Sequence, residues 1–229
     1  MMFLPRCLPV LVLLTCWELN PRDSIAQTQT IASRPTSSLS SSQSALRDRG
    51  QQYFEAQEYK LAIASYLELL KLEPDNVEAY NTLGMSWGGL KQYSAAISAF
   101  DRAIALDRDF ANAYYNRGYI YQQLGQQDTA LEDFARALEL TDGQHVSALI
   151  NRASILALQQ QYQLALQDLQ EVVKLDPRSA TAYYNRALIQ LAIGNKTAYL
   201  NDLTQAEELY RQQSDLAGLT QIEQIRKLY

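Results

Sequence analysis

Histidine occurs once in this chain, at His145, and cysteine twice, at Cys7 and Cys16. That inventory bounds the chemistry. One histidine cannot build a two-histidine metal site or an HExxH zinc motif within one chain. Asp142, His145 and Ser147 fall within one short turn. A nucleophile, base and acid crowded so closely lack the geometry and the oxyanion donors of a hydrolytic triad. GMSWGG, at Gly84, has no Lys-Ser/Thr after it, so it is not a phosphate loop. If the segment holding both cysteines is removed, no thiol remains for a disulfide, a thiolate ligand or a nucleophile. These residues predict a protein that is not an enzyme and carries no metal or cofactor.

The polar group that does recur is an asparagine. YYNR at Tyr114, INR at Ile150 and YYNR at Tyr183 place Asn116, Asn151 and Asn185 at spacings of 35 and 34 residues. A side-chain amide carries donors and an acceptor at once. It can therefore pair with the backbone of an extended peptide without reading that peptide's sequence. Tyr115, Tyr119 and Tyr184 add rigid contact area with a polar tip. These six residues are the candidate peptide-binding groove. The competing reading is that Asn-Arg belongs to the repeat itself and bonds only its own neighbours.

The spacing leads to the elements that position them. Aligned on itself, the chain gives five rows: 43–76, 77–110, 111–145, 146–179 and 180–213, the third with one extra residue near His145. The eighth position reads Gly50, Gly84, Gly118, Ala153, Ala187. The twentieth reads Ala62, Ala96, Ala130, Ala165, then Tyr199, and the twenty-fourth reads Tyr66, Phe100, Phe134, Leu169, Leu203. Small residues recur where two helices approach and large ones fill the gap one turn away. Apolar positions follow a 3.6-residue period twice per row, so each row predicts two amphipathic helices. KQYS and GQQD break the paired helices, and LEPDN and LDPRS end two rows with proline.

These residues resemble the tetratricopeptide repeat (TPR) family. The second row carries nearly all of its pattern in Tyr80, Leu83, Gly84, Trp87, Ala96, Phe100 and Ala103. The resemblance implies an all-α solenoid of about five helix-turn-helix repeats with a concave groove lined by the first helices. It also implies that Arg117, Arg152 and Arg186, where the family often has leucine, bond or stack locally. The basic residues of the family's carboxylate clamp are largely missing. Tyr199, Gln190 and Lys196 depart from the pattern in the fifth row and predict looser packing there. Residues 214–229 predict a capping helix with Leu216, Leu219, Ile222, Ile225 and Leu228 on one side.

The N-terminus is an address. Residues 1–26 place Arg6 before an apolar run and end in Ser24-Ile25-Ala26, the order of a secretory signal peptide cleaved before Gln27. The apolar run of roughly 11 residues is short of the about 20 that span a bilayer. An uncleaved anchor and a lipoprotein signal at Cys16 are the competing readings, and the first would leave the chain membrane-anchored. Residues 27–42 are Ser/Thr/Gln-rich and read as a flexible linker. The net charge of -5 lacks the positive footprint of a nucleic-acid binder. The expectation is an exported module, periplasmic, lumenal or secreted. It would bind a protein or peptide, without nucleic acid and without a membrane span once the signal is cleaved. Self-association as a homodimer is the alternative, and an unconventional enzyme is the remote one.

Overall fold

A computed structural model describes residues 41–229. The expected signal peptide and most of the expected linker lie outside the described residues. Residues 41 and 42, expected in the linker, already belong to the first helix. Among the described residues there are eleven helices and no strand. They are α1 (Ser41–Glu55), α2 (Tyr59–Leu72), α3 (Val77–Gly89), α4 (Tyr93–Leu106), α5 (Ala111–Gln123) and α6 (Gln127–Glu139), followed by α7 (Val146–Leu158), α8 (Tyr162–Leu175), α9 (Ala180–Ala192), α10 (Lys196–Gln212) and α11 (Leu216–Leu228). None is long and apolar enough to cross a membrane. The helices fall into two compact units, and the division comes at Gly143–Gln144, in the row with the extra residue. The first unit holds three helix pairs, α1 to α6. The second holds two pairs, α7 to α10, and the single helix α11.

Each pair is closed by the same backbone device. The fifteenth residue of every row is left-handed: Gln57, Lys91, Gly125, Gln160 and Gly194 have φ between 58° and 81°. The next residue's N–H reaches back five residues to a carbonyl, as in Gln92 to Trp87 at 2.9 Å and Gln161 to Leu156 at 2.8 Å. This is a Schellman closure, which turns the chain and satisfies carbonyls that a helix end leaves open. Only two of the five rows spend a glycine on it.

Beyond the turn, small residues meet large ones. Ala62, Ala96, Ala130 and Ala165 are fully buried, as are Phe100, Phe134 and Leu169. A Cβ added at Gly84 would stand 2.6 Å from the Phe100 ring, so the eighth position sets how closely the pair can pack. Side-chain caps fix the starts of α3, α9 and α11: Asn76, Ser179 and Asp215 accept from the N–H three residues on.

The last helix repeats the first-helix pattern without a second helix. Asp215 caps at Gly218, where other rows place alanine three residues after the cap, and a Cβ at Gly218 would lie 2.4 Å from Tyr210. Ile222 and Ile225 are buried, but Leu216 is 77% exposed and Leu228 57%. The expected apolar side is thus narrower than predicted. Only its middle covers the preceding pair, while Thr220, Glu223, Gln224 and Lys227 turn a polar face outward.

A left-handed non-glycine residue costs about 1–2 kcal/mol, and glycine's added freedom in the unfolded chain returns part of that. Gln160→Gly should therefore stabilise the protein by about 0.5–1 kcal/mol. The urea midpoint should rise accordingly, and Gln159→Gly, one residue earlier in the turn, should lower it.

Candidate functional site

The repeated Asn-Arg phrase sits on first helices, and the structure splits its members into different roles. The arginine faces the second helix of its own repeat. Arg117 on α5 donates Nε to Asp133 Oδ2 at 2.9 Å and Nη2 to Asp133 Oδ1 at 2.7 Å. Arg152 does the same to Asp168, at 2.8 and 2.7 Å, and Arg186 to Asp202, at 2.8 and 2.6 Å. Each aspartate lies 16 residues after its arginine. Two arginines also reach 16 residues back: Arg117 Nη1 donates to Asp101 at 2.6 Å, and Arg186 Nη1 to Gln170 at 2.8 Å. One planar guanidinium thereby joins two successive second helices, α4 to α6 in one unit and α8 to α10 in the other. The tyrosine three residues earlier stacks on it, with Arg117 5.6 Å from the Tyr114 ring centre and Arg186 5.2 Å from that of Tyr183.

The local bonding and stacking of these arginines agree with expectation. Their partners depart from what the sequence pattern alone implies, because Glu132-Asp133 and Glu207-Glu208 fall on second helices, where adjacent charges read as solvated. Asp133 is instead 5% exposed, and Glu207 is buried with Arg211 and Arg226 as partners. The signal was a covariation within the chain. The seventh and twenty-third positions read Arg-Asp in three rows, Leu83 and Ala99 in the second, and Arg49 and Ser65 in the first. An arginine is present only where a polar partner faces it.

Hydrogen bonds to Asp133 hold the Arg117 guanidinium well above its ordinary range. Those to Asp202 raise Arg186. Burial pushes the Asp133 carboxyl upward, against the pull of Arg117.

Five of the six candidate groove residues are buried: Tyr115, Asn116, Asn151, Tyr184 and Asn185. Tyr119 alone is partly exposed. The expected open ladder is corrected most directly at Asn116. Its Nδ2 donates to Asn81 Oδ1 at 2.9 Å, a bond from one first helix to the preceding one. Tyr115 packs against Phe134 at 5.9 Å between ring centres. In the second unit the position matching Asn81 is Ile150, which offers no acceptor, and Asn185 Nδ2 is buried without a partner. Among the positions that first helices α1, α3 and α5 leave partly exposed is the ninth of each row: Gln51, Met85 and Tyr119.

His145 is a cap. Its Nδ1 accepts from Ala148 N–H at 3.2 Å at the start of α7, and burial lowers its pKa to about 4. The ring is neutral at pH 7, and its Nδ1 is committed to the backbone. Among the described residues no cluster of three or more His, Cys, Asp or Glu is placed to hold a metal.

Comparison with known proteins fits this geometry. The TPR repeat family model matches residues 50–86, 90–125 and 153–194, and a second tetratricopeptide repeat model matches residues 111–140. The chain belongs to the tetratricopeptide repeat family. Its helix pairs form that family's scaffold for protein–protein interaction.

Three solved structures share the fold. MamA from Desulfovibrio magneticus RS-1 has a TM-score of 0.66 at 18% identity, covering 77% of this chain and 99% of that one. YrrB, described as a TPR protein with an unusual peptide-binding site, has 0.61 at 22%, covering 82% and 98%. PilW, a type IV pilus biogenesis factor, has 0.67 at 18%, covering 81% and 92%. No curated protein sequence matches this TPR chain.

Two outcomes follow. Removing one partner of a buried pair costs about 3–5 kcal/mol, whereas replacing both by packed apolar groups is close to neutral. Arg117→Leu and Asp133→Ala should each lower stability strongly in urea unfolding. The double variant, which copies Leu83 and Ala99, should recover most of the loss. For His145 the folded pKa lies below the ordinary 6.5. Its contribution is complete above pH 6.5 and falls as pH drops toward 4, by on the order of 3 kcal/mol in full. His145→Asn keeps a capping acceptor without titrating. The difference in urea midpoint between wild type and variant should move between pH 7 and 4 and stay flat above pH 7.

Proposed function

We propose that this TPR protein is exported and holds an extended segment of a partner protein against the first-helix face of the unit that ends at Gly143. The observation that carries the reading is the partly exposed line of Gln51, Met85 and Tyr119 on α1, α3 and α5. An amide, a thioether and a phenol at one equivalent position give adaptable, largely uncharged contacts suited to backbone and apolar side chains. Asn116 on α5 bonds Asn81 on α3 and so ties together two of the helices that present this line. Of the six residues first assigned to the groove, Tyr119 is the one retained as a ligand contact. YrrB, similar in fold, is a TPR protein described as having a peptide-binding site, which supports peptide binding as the mode. The proposed export rests on the order of residues 1–26.

The test is site-specific photo-crosslinking in the source cell, with a benzophenone amino acid placed singly at 85, 119, 67 or 200. Leu67 and Leu200 are exposed on second helices and serve as controls. Crosslinks to one partner from 85 and 119, absent from 67 and 200, are expected. The captured chain should begin at Gln27. Crosslinks from the controls alone would move binding to the other face.

A further inference from the structure

The fifth repeat departs from the others at one place. The eleventh position reads Tyr53, Trp87, Tyr121 and Leu156, then Gln190, and the seventeenth reads Tyr59, Tyr93, Gln127 and Tyr162, then Lys196. Where the other repeats have at least one large apolar or aromatic side chain, this one has two flexible polar ones. A recess of about 260 Å³ lies at Gln190, between α8, α9 and α10. The expected loosening of the α9–α10 pair itself is not seen, since Tyr199 is buried. Its walls include Leu166 and Ala198, with Arg186 and Asp202 beside them. Gln190 also lines it, and its Oε1 is buried without a hydrogen-bond partner. A buried acceptor left unpaired is unfavourable, so a group that donates to it gains one hydrogen bond on entry. The Arg186 guanidinium is already held by Asp202 and Gln170, and it offers a fixed cation to a ring face.

We propose that this recess is a receptor for one aromatic side chain carrying a donor, tyrosine or tryptophan, from a partner segment. The volume lies below the roughly 300–1,000 Å³ of pockets that take drug-sized ligands, and suits a single side chain. The ring replaces the aromatic bulk that the fifth repeat lacks. The O–H or N–H completes Gln190. The site lies on the flank of α9 that faces α8 and α10, roughly 200–240° around the helix from Tyr184. It is separate from the proposed peptide-holding line at Tyr119, and either can fail without the other.

The full chain, ¹⁵N-labelled, is titrated with N-acetyl-tyrosinamide, N-acetyl-phenylalaninamide and N-acetyl-leucinamide. Tyrosinamide should shift the Gln190 side-chain amide and the backbone amides of Ala198 and Asn201. It should bind about 2–12-fold tighter than phenylalaninamide, the range one hydrogen bond supplies, and leucinamide should be weakest. Gln190→Met should equalise the first two. Gln190→Tyr, which restores the aromatic of the first and third rows, should abolish both, and Tyr119→Ala should change nothing. Shifts absent or located elsewhere overturn the proposal. So does equal binding of tyrosinamide and phenylalaninamide to the native chain, or undiminished binding to Gln190→Tyr.

Discussion

A half-buried guanidinium held against a buried carboxylate on the second helix is the constraint on which the rest of this structure depends. Arg117, Arg152 and Arg186 each carry a charge into the space between helices, and each must meet a carboxylate there. The carboxylate has one address, 16 residues on, and that address fixes the rotation of the second helix against the first. Where the arginine also reaches 16 residues back, it fixes the preceding repeat as well. Small residues at the eighth position allow the helices to approach, and the ion pair permits one orientation of that approach. Such a pair adds little net stability, since the desolvation of both charges offsets their attraction. What it supplies is a penalty for misalignment, in a fold whose repeats could otherwise slip against their copies.

The asparagine beside it belongs to the same system. Asn116 donates to Asn81 across neighbouring first helices, while the position matching Asn81 for Asn185 is Ile150 and its Nδ2 has no acceptor. The phrase therefore serves packing between helices before it serves any ligand. The proposed binding uses the ninth-position side chains, which vary from row to row. The fifth repeat shows the converse, where loss of the interhelical aromatics opens a recess with its own polar acceptor.

Much of the fold was legible because it is written in periodicity. Small and large residues at fixed positions gave the pairs, and the row with the extra residue marks where the chain divides. The left-handed turn was half legible, since glycine signals it at Gly125 and Gly194 but Gln57, Lys91 and Gln160 adopt it under the same hydrogen bonds. The site was less legible. A charged residue on a second helix looks the same whether it faces water or a buried arginine, so Asp133 was read as solvated. The asparagines were chemically apt for a peptide, yet whether an amide faces a groove or a neighbouring helix depends on what lies across from it. Asn81 was in plain view for Asn116, and only the geometry showed that the two meet.

The repeated arginines act as interhelical stitches, and proton exchange at the arginine Nε–H, followed by NMR at neutral pH, puts this to the test. Slow, separately resolved Nε–H signals are expected for Arg117, Arg152 and Arg186, against fast exchange for the exposed Arg108 and Arg178. Exchange of those three as fast as that of the exposed pair would show that the bridges do not hold the helices.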